Sequence, residues 1–383
     1  MAMNRVQFQR GLSMAEFMQC DGSDERCEAA LIAARWPQGF VCPDCDCAAH
    51  SSYRHEGRQC WQCSACRHPC SVTSGTVFEA SKLRLSTWFL AMHLLTQSKN
   101  FISALELERH LGVCYRTAWL VKHKLMEVMR LREEGRQLTG RVEIDDAYLG
   151  GQRCGGKAGR GSENKVSFIA AVQTTDDGQA DLACLHLMPF TNAAMSDFAA
   201  TSLVRPLTVL SDGLAYFLAA GQAGVHERTV TGGGRQAAKL QQFWAVNTVL
   251  SNLKTGRAGT YHAVKFAKYA HRCLAEFQYR FTTAVSTCAQ SCTALFTWPA
   301  RPNRMGLVQS AAELCRESAS PKRHGARRRT CTTPWDINDA RTELSAQSVG
   351  AADVIDPPVS RRLRTGTVVS DPFSPQAAVR LRG

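Results

Sequence analysis

The sequence predicts an α/β domain set behind a cysteine-built ribbon and a pair of short helices, and three observations predict it. From Arg141 onward, short β-branched runs alternate with helical patterns. Well ahead of them stand two Cys-x-x-Cys pairs, Cys42-Pro-Asp-Cys45 and Cys63-Ser-Ala-Cys66. Between the two regions lies ISALELERHLGVCYRTAWLVKHKLMEVMR, two amphipathic stretches divided at Gly112.

A chain of 383 residues has room for two or three packed domains. The formal net charge of +13 and a pI near 9.1 suit a polyanionic partner, although basic balance alone only tilts the odds towards nucleic acid. No apolar run approaches the roughly 20 residues of a membrane span, and MAMNRVQFQRGLSMAEFMQC has no apolar signal core. We therefore expect a cytoplasmic protein with no membrane partner. In that reducing compartment the 17 cysteines favour metal binding over disulfides.

The cysteine pairs are separated by 17 residues that include Tyr53, Trp61 and several basic side chains. Two such knuckles can present four thiolates tetrahedrally to one Zn2+, and a segment with little core then folds on metal-binding energy. Cys47, Cys60 and Cys70 lie close enough to compete. Cys60-Trp-Gln-Cys63 is itself a Cys-x-x-Cys, so spacing alone leaves the second knuckle open. Ahead of the ribbon, Glu25 to Trp36 reads as a short helix stopped by Pro37 and Gly39. The ribbon with this helix is assigned to 20–75.

Residues 81–132 form the helical region. Leu85, Trp88, Phe89, Met92 and Leu95 recur at helical spacing, with Ser86 and Thr87 as candidate N-caps. A second helix runs to Leu111, Gly112 supplies the turn, and a third starts near Tyr115. This is a helix-turn-helix pattern, whose second member reads base edges from its first turn. Tyr115, Arg116 and Thr117 are the expected readers. Lys122, His123 and Lys124 are further basic residues on the same helix, the two lysines being expected DNA contacts. The polar stretch 133–140 makes a domain boundary.

Beyond it, strands are expected at 141–149, 165–175 and 179–190, with Asp176-Asp177-Gly178 as a hairpin turn between the last two. A helix from Asn192 to about Leu203, a strand ending at Asp212, a short helix over Leu214 to Ala220 and a strand at Val225 to Val230 follow. Residues 150–165 are Gly-rich but lack P-loop spacing, so they read as a basic loop beside DNA backbone. Leu240, Phe243, Val246, Leu250 and Leu253 then mark an amphipathic helix between Gln236 and Gly256. It carries Asn247 and Lys254 two turns apart, hence on one face. Asp145 and Asp146 end one strand run and Asp212 another. Acidic residues at strand ends with a polar residue on a later helix are how an RNase H-like sheet gathers metal ligands.

The motifs E-I-D-D-A-Y-L-G-G, S-D-G and V-N-T-V-L-S-N-L-K followed by G-T-Y-H resemble the DDE-type transposases of bacterial insertion sequences. The nearest group is the family numbered fifteen ninety-five, and the similarity covers roughly residues 20 to 281. The resemblance implies an RNase H-like domain over 141–281 whose signature falls on Asp145, Asp212, Asn247 and Lys254. It places the catalytic role on Asp145 rather than Asp146, and sets aside Glu79 and Asp197. It also selects Cys63-Ser-Ala-Cys66 as the second knuckle, because an arginine and a stretch like S-V-T-S-G-T-V-F-E follow it. The zinc ligands are then Cys42, Cys45, Cys63 and Cys66.

The chemistry so implied uses two Mg2+ (or Mn2+) ions about 4 Å apart, which activate a water or a DNA 3′-hydroxyl and stabilise the leaving oxygen. Asp145 bridges the ions, Asp212 serves one, and the amide oxygen of Asn247 serves the other in place of the commoner glutamate. Lys254 neutralises a phosphate. His262, Lys265, Lys268, His271 and Arg272 are expected along DNA backbone. Implied partners are double-stranded DNA, as terminal inverted repeats and target, and further copies of the chain in a nucleoid-bound homo-oligomer.

After Phe281 the resemblance stops. Residues 282–383 hold thirteen arginines, one lysine and eight of the thirteen prolines, without sustained periodicity, which reads as disorder. The family continues with Asn-Arg-Arg-Phe-Asp-Leu where this chain has Thr282-Thr283-Ala284-Val285, and a shifted reading of suitable codons would restore the family residues. A frameshifted C-terminus is the expectation. Three functions follow: a transposase cutting and joining its own element's ends, a transposase-derived DNA-binding protein that has lost catalysis, and a nonspecific RNase H-like nuclease. The last leaves both N-terminal modules unexplained.

Overall fold

Capping chemistry starts the N-terminal helices. The computed structural model describes residues 12–98, 100–150, 165–229, 240–261 and 266–283. Ser13 closes a capping box with Glu16 on α1 (Met14–Asp21), and Ser23 caps α2 (Asp24–Arg35). A three-stranded antiparallel sheet follows: β1 (His50–His55), β2 (Arg58–Cys63) and β3 (Pro69–Ser71). Helix α2 is bound to it through Glu28, which accepts from the Gln59 amide (2.7 Å) and pairs with Arg54 (2.7 Å), while Arg35 donates to the Ser74 carbonyl (2.7 Å).

Helix α3 (Leu85–Gln97) begins one residue before its two candidate caps. Neither caps it, and the acceptor comes from another helix. The Ser86 amide donates to the Asp24 carboxylate at 2.9 Å, a partner 62 residues away in sequence. Ser103 caps α4 (Ala104–Leu111), Gly112 takes a left-handed φ of 63°, and α5 runs Tyr115–Glu133. The positive φ is what a residue without Cβ supplies at a helix end.

The second sheet has five strands in the order β6-β5-β4-β7-β8, made of β4 (Leu138–Leu149), β5 (Val166–Thr174), β6 (Ala180–Leu187), β7 (Leu203–Asp212) and β8 (Val225–Thr229). Strands β4, β5 and β6 pair antiparallel, and β7 and β8 continue parallel to β4. Thr191 caps α6 (Asn192–Ser202), and a 3-10 turn (Ala215–Gln222) follows β7. A second 3-10 turn (Gln241–Phe243) leads into α7 (Trp244–Ala258), and α8 (Phe266–Thr283) ends the described chain.

Two cores flank this sheet. On one side Val142, Ile144, Ile169 and Val209 pack with Met195 and Phe198 of α6. On the other, Ala147, Phe168, Val172 and Leu210 pack with Val246, Val249, Leu250 and Leu253 of α7 and with Leu274 and Phe277 of α8. A third core joins the ribbon to α1 through α5, with Trp61 and Cys63 in one cluster with Leu31, Trp88 and Leu107. The ribbon is therefore not the nearly coreless segment expected from sequence.

Helix α8 also packs on α5. Arg272 donates to Glu127 at 3.0 Å in a buried pair, and Gln278 donates to Glu133 at 2.9 Å. His123 lies in this interface between the rings of Trp119 (4.1 Å) and Tyr269 (5.0 Å). Burial, then the charges of Lys122, Arg272, His271 and Lys268, push its imidazole down to about 3. The neutral ring thus stabilises the fold fully above pH 6.5, and that contribution is lost as pH falls from 6.5 towards 3. Between pH 6.5 and 5 the wild type should lose about 2 kcal/mol relative to His123→Phe, at ~1.4 kcal/mol per pH unit, in urea unfolding. Parallel pH curves for the two proteins would refute this.

Candidate active site and metal centre

The ribbon tip is built twice from one pattern. In the first knuckle the Cys42 amide donates to the Cys47 carbonyl and the Asp46 amide to the Cys42 carbonyl, each at 3.0 Å. In the second, Cys63 donates to His68 and Arg67 to Cys63, each at 3.1 Å. Asp46 and Arg67 share a left-handed φ, of 56° and 60°. These turns aim backbone amides at sulfur. The Cys63 thiol is brought down to about 6, first by the Cys66 amide.

The four sulfurs of Cys42, Cys45, Cys63 and Cys66 lie within 4.8 Å of one another, with close pairs at 3.4 to 3.6 Å. Sulfurs on a tetrahedral zinc sit about 3.8 Å apart, given a Zn–S bond near 2.3 Å, so the set fits one ion. The rival knuckle fails on geometry. Cys60 lies inside extended β2, and its thiol faces the Arg58 carbonyl at 3.7 Å instead of the cluster. Cys70 is buried against the Ser71 carbonyl, and Cys47 lies 4.0 Å from that of Ala49.

Replacing Cys42 or Cys63 with serine should drop zinc content below one ion per chain. Most of the far-ultraviolet helix signal should survive, because the ribbon residues are a minority of the core they share with α1 to α5. Unchanged zinc in both variants would remove the assignment.

In the five-stranded sheet the two-residue period decides which aspartate faces what. Val142 and Ile144 of β4 sit in the core under α6, and Ala147 and Leu149 in the core under α7. Asp145 shares the second parity, so it projects to the α7 side, and Asp146 projects to the other. On β7, Leu210 belongs to the α7 core and Val209 to the α6 core, which puts Asp212 on the α7 side too. β4 and β7 are adjacent and parallel, with Ile144 opposite Ser211, so the next residues along are Asp145 and Asp212.

The electrostatics agree with that placement. The Asp145 carboxyl is raised to about 6, first by burial and also by the negative charges of Asp146 and Asp212, against the opposing Asp146 amide and Lys254. Asp145 accepts from the Asp146 amide at 2.8 Å, and Asp212 from the Leu214 amide at 3.1 Å. Half-buried Asn247 and exposed Lys254 belong to α7, the helix covering this face. Two carboxylates repelling each other at the rim of a sheet, within reach of the Lys254 charge, offer the kind of oxygen donors that a hard divalent cation takes.

Sequence reasoning passed over Glu143. It is 1% exposed and points to the α7 side two residues before Asp145. Its carboxylate accepts from the Val246 amide in the first turn of α7 (3.0 Å) and from Arg141 (3.0 Å). It thus satisfies one of the amides that a helix leaves open at its start, immediately before Asn247. Glu143 stood in the motif E-I-D-D, yet only the fold reveals its partner 103 residues away.

Several expected DNA contacts are placed otherwise. Lys122 is 3% exposed, and its ammonium donates to the Ile102 carbonyl and the Tyr261 hydroxyl, so it is an interior cation and not a DNA contact. Arg272 is likewise buried, in the pair with Glu127. Lys124 is half-buried, with its ammonium 3.5 Å from the Val77 carbonyl. Tyr115 and Arg116 are exposed, and the half-buried Thr117 hydroxyl meets the Cys114 thiol at 3.2 Å. Lys268 is exposed beside the Tyr269 ring. His262, Lys265, the Gly-rich segment 151–164 and the tail beyond 283 lie outside the described residues. Among the described residues no helix is long and apolar enough to cross a membrane.

Comparison with known proteins matches the two regions that hold these residues. Residues 137–282 match the ISXO2-like transposase domain, and residues 22–69 match the transposase zinc-ribbon domain. A Halobacterium salinarum protein described as an uncharacterized protein in transposable element ISH50 is 31% identical over 131 residues. The match covers 33% of this chain and 42% of that protein, so the chain spans less than half the length of this relative. The chain therefore carries an ISXO2-like transposase domain behind a transposase zinc ribbon.

Proposed function

We propose that the protein is an insertion-sequence transposase that cuts and joins DNA at its own element's terminal inverted repeats. The observation that carries this reading is the acidic pair Asp145 and Asp212 on the α7 side of the sheet, within the matched transposase domain and within electrostatic reach of Lys254. Three antiparallel strands continued by two parallel ones support an RNase H-like sheet. The α4-Gly112-α5 unit, with Tyr115 and Arg116 exposed at the start of α5, supports a helix-turn-helix reader.

Asp145 and Asp212 supply charged oxygen ligands, and Asn247 a neutral one that binds a cation less tightly. Magnesium or manganese held there supplies activation of the attacking hydroxyl and stabilisation of the leaving oxygen. Lys254 offers its ammonium to a phosphate flanking the scissile bond. Arg116 and Lys268 add contacts to backbone or bases, and the zinc-bearing ribbon helps to hold the end. Such chemistry at paired ends calls for more than one copy of the chain on the DNA.

The test is a duplex carrying an end of the element, given to purified protein with millimolar magnesium or manganese. A cut at the element's terminus is expected. A wild type that binds ends but cuts with neither metal, even after Asn-Arg-Arg-Phe-Asp-Leu is rebuilt after Phe281, ends the transposase reading in favour of a DNA-binding protein without catalysis. If only the rebuilt protein cuts, the altered sequence after Thr282 is what inactivates it.

A further inference from the structure

Phe101 and Ile102 are neighbours in sequence but belong to different cores. Phe101 is buried with α7 and α8 against the five-stranded sheet, and Ile102 is buried with the ribbon and α3 to α5. The backbone between α3 and α4 is held at four carbonyls, three of them from the transposase domain and one from α5. Arg280 donates to Ser98 (2.7 Å) and Asn100 (2.8 Å), Thr260 donates to Phe101 (2.6 Å), and Lys122 donates to Ile102.

The Phe101 ring lies under the Arg280 guanidinium (4.7 Å) and beside Tyr261 (5.3 Å). It also lies against Gly256 of α7, where an added Cβ would already touch it at 3.6 Å. A larger side chain at 256 would displace the ring. This is the same helix that carries Asn247 and Lys254.

We propose that Ser98, Asn100, Phe101 and Ile102 form a register clamp, which fixes the distance between the end-recognition module and α7 and thereby selects which phosphodiester is cut. Phe101, Thr260 and Arg280 are positioning residues in it. The proposal rests on the transposase reading for the cut itself, but the fixed distance is a separate claim. Successive nucleotides of a strand rise about 3.4 Å along the duplex, so a slip of that size between the modules moves the cut by one nucleotide. A packed aromatic whose segment is held by three carbonyl bonds from the transposase domain adds to the α8–α5 packing in resisting such a slip, whereas an exposed linker would add nothing.

The experiment maps two positions on one labelled duplex carrying the element's end. One is the cut made with magnesium. The other is the crosslink from a benzoylphenylalanine placed at exposed Thr255 of α7, which reports where that helix lies whether or not the strand is cut. Wild type should give one dominant crosslink and one dominant cut. Phe101→Ala, Phe101→Leu and Thr260→Val should spread both over neighbouring nucleotides, with zinc content and end affinity unchanged. If Phe101→Ala does not fold, the two milder variants decide the matter.

Crosslinks that stay at one nucleotide in folded variants overturn the clamp, as does a wild type with no preferred crosslink. A protein that crosslinks at one nucleotide without cutting, even when rebuilt after Phe281, overturns the transposase reading instead, and leaves the clamp to be judged by its variants.

Discussion

Asp145→Ala and Asp212→Ala should each abolish cutting of an element end while leaving end binding near the wild-type level. Each removes a charged oxygen donor from the pair, and its neighbours do not replace it: Asp146 projects to the other face, and Glu143, on the α7 side, is engaged by the Val246 amide and Arg141. Several kcal/mol of charge stabilisation rest on such ligands, and about 4 kcal/mol is on the order of 10³ in rate. Both variants should also bind less manganese. Asn247→Glu should retain cutting, since it replaces a neutral oxygen donor with a charged one, and Lys254→Ala should slow cutting more than it weakens binding. Rate measurements in single-turnover conditions with both metals decide this. An Asp145→Ala protein that still cuts would remove the site from contention.

Glu143→Ala should destabilise the transposase domain clearly, although the side chain is polar. It strips the acceptor from the Val246 amide and the partner from Arg141, both at a position that is 1% exposed. Leaving the buried Val246 amide without its acceptor costs about 1 to 3 kcal/mol, a sizeable share of the roughly 5 to 15 kcal/mol that holds a domain together, while the part-exposed Arg141 adds little. Glu143→Gln should cost less, because its side-chain oxygen can still accept from Val246. Urea unfolding should show the order wild type, Gln, Ala. A midpoint unchanged in Glu143→Ala would mean that α7 starts without this bond.

The site was legible in the sequence where chemistry depends on residue type at a short spacing. Asn247 and Lys254 share a helix face because seven residues make two turns, and Cys63-x-x-Cys66 was readable as a knuckle. Choosing between neighbours needed the fold. Cys60 is excluded because its thiol lies against the Arg58 carbonyl and away from the four clustered sulfurs. Asp145 is separated from Asp146 because the strand's alternation hands them to opposite helices. Lys122 and Arg272 misled for one reason. On a sequence, a lysine or arginine on a helix looks solvated, and only the packing of α8 on α5 turns that face inward and supplies Glu127 and Tyr261 as partners.

By itself, then, the sequence determined the elements and their order, because hydrophobic period, caps and turns are local properties of the chain. It also determined the residue types able to hold zinc and divalent cations. Only the tertiary structure decided which carboxylates meet, that Glu143 anchors α7, and that Phe101 and Ile102 are divided between two cores. Those outcomes depend on contacts between residues far apart in the chain, as with the 103 residues between Glu143 and Val246 and the 159 between Phe101 and Thr260. No local pattern encodes such pairs, since they form only when the burial of whole helix faces brings the segments together.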